Sequence, residues 1–212
     1  MRRKRGRKIV ELIEKVYAKK QKVDIVDVGG TREYWNIIPA DYFSRRNVHI
    51  TVVNISPTEN IPDMNESLFS YRQGDGCRLE GIADGQFDIA HSNSVIEHVG
   101  DWEKMVDFAG EIRRIATMYY VQTPNYFFPV EPHFFFPFFH WFPFSLKLRL
   151  TMRFQLGCFP KASSEEEARG FIELCRLLTK RKLLALFPDA ALHRERLFFL
   201  AKSFILIRSS LD

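Results

Sequence analysis

The chain has 212 residues, 46% hydrophobic and 27% charged, ordinary values for a globular protein and enough for one sizeable core. Its net charge of +5 is local: MRRKRGRK at the start carries six Lys or Arg, and the other 204 residues hold 25 basic against 26 acidic side chains. That balance leaves no basic face for nucleic acid, and residues 1–8 read as a solvated basic tail on a single domain spanning 1–212.

In chain order, RKIVELIEKVYAKK (7–20) places Ile9, Leu12, Ile13 and Val16 on one helical face. VDIVDV (23–28) is a short β-branched run halted by Gly29-Gly30, and HITVVN (49–54) is a second, stopped by Ser56-Pro57. FSYRQ (69–73) and FDIAHS (87–92) give a third and a fourth strand. DWEKMVDFAGEIRRI (101–115) reads as an amphipathic helix with Asp101 as its N-cap. MYYVQT (118–123) is a fifth strand before Pro124, and LFFLAKSFILI (197–207) reads as a buried strand. Strands alternating with helices imply an open, doubly wound and mostly parallel sheet.

Residues 125–144, NYFFPVEPHFFFPFFHWFPF, hold nine Phe and four Pro in twenty positions. The prolines exclude a transmembrane helix, since each removes a backbone donor. The stretch is also too long and too aromatic for a plain connection. It reads as an insertion (124–160) whose rings supply an apolar wall. Core filling, a dimer interface, and contact with a membrane surface through the following SLKLRLTMR stay open. Cys77, Cys158 and Cys175 lack metal or redox spacing, and no apolar leader is seen; the expectation is a reducing, cytoplasmic setting, with membrane association left open.

In such a sheet the chemistry lies at the carboxyl ends of the strands. The first ends in Asp27-Val-Gly29-Gly30, where glycine lets the backbone approach a ligand. The second ends in Asn54-Ile55, able to hydrogen-bond ribose hydroxyls. The third leads to Gly74-Asp75-Gly76-Cys77, which suits an exocyclic amine or an Asp-Gly turn. The fourth runs into HSNSVIEHV (91–99), with Asn93, Ser94 and His98.

These four ends, in this order, resemble the class I S-adenosylmethionine-dependent methyltransferases of the type 11/12 group. VDIVDVGG stands at the glycine-rich first motif, TVVNIS at the second, GDGCRL at the adenine segment and FDIAHSNSVIEHVGDWEKM at the fourth. The tail RLLTKRKLLALFPDAALHRERLFFLAKSFILI resembles the helix and closing hairpin of the group. The resemblance implies a Rossmann-like seven-stranded sheet with an antiparallel last strand. It implies S-adenosyl-L-methionine held by Asp27, Gly29, Gly30, Asn54, Ile55, Asp75, Gly76, Cys77, Asn93 and Ser94, methyl transfer to a small-molecule, lipid or glycan acceptor, and an insertion at 124–160 that lies over the acceptor side. Two departures, Thr31-Arg32 after Gly30 and Asn54 in place of an acid, keep a catalytically weak or inactive binding or scaffold domain as the alternative. Candidate bases are His98, Glu97, His133 and His140, the histidines because they titrate near neutrality. No metal is expected, because His133 and His140 have no third ligand at a recognisable spacing.

Overall fold

A computed structural model describes the backbone of residues 2–56 and 67–210, with side chains from Arg5 onward. Helix α1 (Arg2–Lys20) leads into strand β1 (Val23–Val28). Two short helices, α2 (Arg32–Trp35) and α3 (Ala40–Arg45), precede β2 (Val48–Asn54), β3 (Phe69–Gln73) and β4 (Phe87–Asn93). Then come α4 (Trp102–Ile115), β5 (Ala116–Pro124), α5 (Phe144–Arg153), α6 (Glu165–Glu173), α7 (Lys180–Leu186), β6 (Ala191–Leu197) and β7 (Leu200–Arg208).

The seven strands form one sheet in the order β3-β2-β1-β4-β5-β7-β6. β1 to β5 pair in parallel, while β7 runs antiparallel to both β5 and β6. The strand order reverses between β1 and β4, the crevice where open α/β sheets bind ligands. The central strands are buried on both faces, which explains their near-continuous apolar runs. One face packs Phe108 and Ile112 of α4 against Val26 and Val28. The other packs Ile9, Ile13 and Val16 of α1 against Ile25 and Ile50.

The doubly wound sheet matches the sequence expectation, and α4 is capped as expected: the Asp101 side chain accepts from Lys104 N–H at 3.0 Å. Two expectations need correction. The basic start is not a solvated tail, because α1 begins at Arg2 and Arg5 is held by Glu195 of β6. Burial and ion pairing with a residue 190 positions away override the charge pattern. LFFLAKSFILI is not one buried strand: residues 197–200 form the exposed tip of the β6–β7 hairpin, and burial begins at Ser203.

Candidate functional site

The β1–α2 turn needs its glycines. Gly29 has φ +72, and a Cβ there would meet the Val95 side chain at 2.6 Å. At Gly30 a Cβ would run into the Asp27 carboxylate at 1.9 Å. The Gly30 carbonyl accepts from Asn54 Nδ2 at 2.8 Å, so the Asn54 amide clamps the turn to the end of β2. Beneath the third strand end, Asp75 Oδ1 accepts from the Cys77 N–H at 2.9 Å, closing an Asp-Gly turn.

These ends enclose a cavity of about 570 Å³. Of the residues expected from the sequence, Gly29, Asn54, Ile55, Asp75, Gly76, Cys77 and Ser94 line it, as does His98. Val28, Val53, Val95 and Phe108 supply the apolar floor. The volume lies within the range of pockets for nucleoside-sized ligands. The donor set fits S-adenosyl-L-methionine: a glycine turn, polar groups from Asn54 and Ser94, and the exposed Asp75 carboxylate, all on an apolar bed. Burial pushes the Cys77 thiol up to about 11, so it stays protonated and acts as wall.

Gly30, Asp27 and Asn93 do not line this cavity. Asp27 is wholly buried and turns the other way, accepting from His91 Nδ1 at 2.6 Å and from Trp35 Nε1 at 2.8 Å. Asn93 accepts from Arg5 Nη1 at 3.1 Å, and Arg5 in turn grips both oxygens of Glu195. Burial alone would raise the Glu195 pKa, but the Arg5 and Ser203 hydrogen bonds outweigh it and keep the carboxylate ionised. Sequence reasoning missed His91, Arg5 and Glu195. His91 at least stood inside the fourth motif; nothing local marks the other two.

A second cavity, about 210 Å³, shares Ser94 with the first. Gln122, Asn125, Lys202 and Ser203 give it polar walls, and Phe128, Val130 and Pro132 of the aromatic segment give it apolar ones. The rest of that segment divides. Phe134 and Phe139 stack at 4.0 Å and, with Leu156, form a small core of their own. Phe127, Phe135, Phe138 and Trp141 are exposed. The segment is therefore partly wall and partly a separate buttress.

The histidines separate as well. His98 borders the 570 Å³ cavity and its Nδ1 lies 2.9 Å from the Leu174 carbonyl. Donation there leaves Nε2 as the basic atom. Burial lowers its pKa. His133 packs edge-on against His98 with ring centroids 4.6 Å apart, and its Nδ1 lies 2.7 Å from Glu131 Oε1. Burial opposes the charged ring, yet the Glu131 hydrogen bond and charge prevail and raise the His133 pKa. Glu131 also accepts from the backbone N–H groups of His133 and Phe134, at 2.7 and 2.6 Å. Next to them Glu97 is fully buried, accepts from Thr123 Oγ1 at 2.8 Å, and is pushed up to about 7 by burial. His140 lines neither cavity; its Nε2 faces the Tyr126 carbonyl at 2.7 Å. Cys175 brings the third donor atom that sequence spacing lacked: atoms of His98, His133 and Cys175 lie within 4.8 Å of one another. The Nδ1 atoms of both rings face oxygen acceptors, which leaves Nε2 of each ring as the atom open to a proton or a ligand.

The matched family model, described as a methyltransferase domain, covers residues 1–189. The chain belongs to that family. An uncharacterized protein of Mycobacterium tuberculosis (strain ATCC 25618 / H37Rv) is 38% identical over 59 residues, 27% of this chain. The match spans 20% of that relative's length. Among solved structures, a 1,6-didemethyltoxoflavin N1-methyltransferase from Burkholderia thailandensis, with bound 1,6-didemethyltoxoflavin and S-adenosylhomocysteine, has a TM-score of 0.55 at 12% identity. That likeness covers 95% of this chain and 77% of the other. The methyltransferase domain of a bacterial Hen1 gives 0.51 at 14%, covering 95% and 97%. An O-methyltransferase family protein from Burkholderia thailandensis gives 0.51 at 10%, covering 98% of this chain and 57% of that one. At these identities the structural likeness speaks for the fold.

Proposed function

We propose that this chain methylates a hydroxyl-bearing small molecule, lipid or glycan seated against Ser94, with His98 as the base. The carrying observation is the adjacency of two cavities of different character. The larger has the glycine turn and the exposed Asp75 carboxylate; the smaller has mixed polar and aromatic walls, and Ser94 belongs to both. The cofactor supplies an activated methyl on a sulfonium whose leaving group is a neutral thioether. The protein's share is alignment, and proton removal where the acceptor is a weak nucleophile.

Gly29, Asn54, Ile55, Asp75, Gly76, Cys77 and Ser94 hold the cofactor. Asp27, Gly30 and Asn93 act behind them, fixing the turn and the end of β4. His98 has its Nδ1 beside a carbonyl and is neutral at physiological pH, so Nε2 is free to accept the hydroxyl proton. His133 is fixed by Glu131 and packs against the His98 ring as a positioning residue. His140 holds the backbone of the aromatic segment rather than acting in catalysis. A small-molecule acceptor is supported by the toxoflavin enzyme among the structural neighbours. Calorimetry of the full chain with S-adenosylmethionine and S-adenosylhomocysteine tests the first half of this reading: binding is expected for both. Label transfer from S-[methyl-³H]adenosylmethionine to hydroxylated acceptors tests the second, and transfer only to amines or thiols would remove His98 as base.

A further inference from the structure

The hairpin between β6 and β7 ends in a feature that methyl transfer does not use. Phe198 and Phe199 are 87% and 96% exposed, and Leu197 and Leu200 beside them are exposed too. Four consecutive large apolar side chains at a strand tip cost solvation free energy and contribute nothing to the core. Phe198 also takes a left-handed φ of 53, so the turn holds both rings outward at some backbone cost.

The base of the tip is bonded to the start of the aromatic insertion. Asn125 joins them: its N–H bonds the Lys202 carbonyl at 3.0 Å and its Nδ2 the Ala201 carbonyl at 2.8 Å. From there Tyr126 contacts Phe127 and His140, and Trp141 contacts His140 and Phe138. Phe127, Phe138 and Trp141 are all exposed.

The charges around the tip have one sign. Arg194 and Arg196 precede it and Lys202 follows it. No carboxylate pairs with any of the three among the described residues. The hairpin's one acid, Glu195, is buried and spent on Arg5 and Ser203. Arg194 and Arg196 also join Lys180 and His193 in an open recess of about 580 Å³ whose lining contains no acid. A second copy of this surface would bring like charges together. An anionic bilayer satisfies both halves at once: aromatic side chains enter the interface, and lysine and arginine meet headgroup phosphates.

We infer that the β6–β7 tip, with Phe127, Phe138 and Trp141, docks the protein onto an anionic membrane surface. The docking is peripheral, since no described helix is long and apolar enough to cross a membrane. It brings the mouth of the 210 Å³ cavity, which Lys202 and Phe128 line, to the lipid side.

Co-sedimentation of the full chain with vesicles tests this. One set is phosphatidylcholine alone, the other contains about one-third phosphatidylglycerol, enough for a strong negative surface potential. Partitioning is expected on the anionic vesicles, weakened by salt and weaker by at least about tenfold on the neutral ones. The Phe198→Ser/Phe199→Ser pair should lower anionic partitioning by about tenfold or more, with an unchanged circular dichroism melt, since both rings lie outside the core. Arg194→Gln/Arg196→Gln should flatten the salt dependence. Equal partitioning of parent and serine variant, or none of the parent, overturns the inference. A parent dimer that the serine pair makes monomeric, without vesicle binding, overturns it in favour of self-association. Cofactor calorimetry on the same variants keeps this outcome separate from the catalytic reading.

Discussion

Asp27 and His91, paired at 2.6 Å and both almost fully buried, lie on neighbouring parallel strands directly below the glycine turn. The second Asp27 oxygen accepts from Trp35 of α2, so one carboxylate ties β1, β4 and the helix after the turn. Asp27→Ala strands two buried donors and is expected to cost about 3–5 kcal/mol of stability, while Asp27→Asn, which keeps an acceptor, costs about 1–3 kcal/mol. Denaturant unfolding measures both. S-adenosylmethionine affinity should fall in the Asn variant through a loosened turn, without loss of a direct contact.

Asp75 makes the opposite case. It is exposed at the wall of the 570 Å³ cavity, and its Oδ1 accepts from the nearby Cys77 N–H. Asp75→Ala should weaken S-adenosylmethionine binding by about 1–3 kcal/mol, because a ligand donor would lose its partner, and should leave the melting temperature nearly unchanged. Unaltered affinity by calorimetry would remove Asp75 from the site.

For His98, the expected signature is a loss in turnover with little change in cofactor affinity. General base removal lowers rate by about 10²–10⁴-fold. His98→Ala should therefore abolish most transfer to a hydroxyl while the S-adenosylhomocysteine dissociation constant moves by a factor of a few. Burial lowers the His98 pKa, so the base is neutral at pH 7 and activity should fall only as pH drops below the ordinary histidine range. His133→Ala should shift that acidic limb, since the two rings pack together; an unmoved limb would make His133 purely structural.

Glu97 gives a stability prediction with the unusual sign. Its carboxyl is raised from the ordinary range to about 7 by burial. Between these values the folded state keeps a proton that the unfolded state has released, so stability declines as pH rises from about 4.5 to about 7. A shift of this size is worth about 3 kcal/mol. Glu97→Gln keeps an acceptor for Thr123 and removes the titration. Its melting temperature should match the parent's at pH 4.5 and exceed it at pH 8; a constant difference across that window would contradict the buried protonated acid.

Arg5 tests the role of the basic N-terminus. Arg5→Ala leaves Glu195 buried beside Ser203 without its cation, at an expected cost of about 3–5 kcal/mol. In the background of Glu195→Gln the same change should cost far less, and a double-mutant cycle by denaturant unfolding reads the difference.

The sequence by itself determined β1 to β5, their order of occurrence and much of the lining of the 570 Å³ cavity. Those signals are local: β-branched runs fix strands, and Gly29, Asp75 and Asn54 sit where a strand stops and a turn begins. A residue at a strand end faces the crevice or the core according to the pleat, and one position decides which. Asp27 lies one residue inside the strand, and its carboxylate was captured by His91 and Trp35, so it left the cavity that its motif suggested. Arg5 and Glu195 are 190 residues apart, and Cys175 meets His98 across 77. No periodicity records such pairs, because only the packing of α1 on the sheet and of the segment after α6 against the β4 loop brings them together. The aromatic segment is the same lesson in composition. Its rings look alike in sequence, and the tertiary structure divided them into a stacked Phe134–Phe139 core, a cavity wall at Phe128 and an exposed edge at Phe127, Phe138 and Trp141. Hydrophobicity says only that a ring prefers to leave water; which neighbour receives it is set by the space the rest of the chain leaves open.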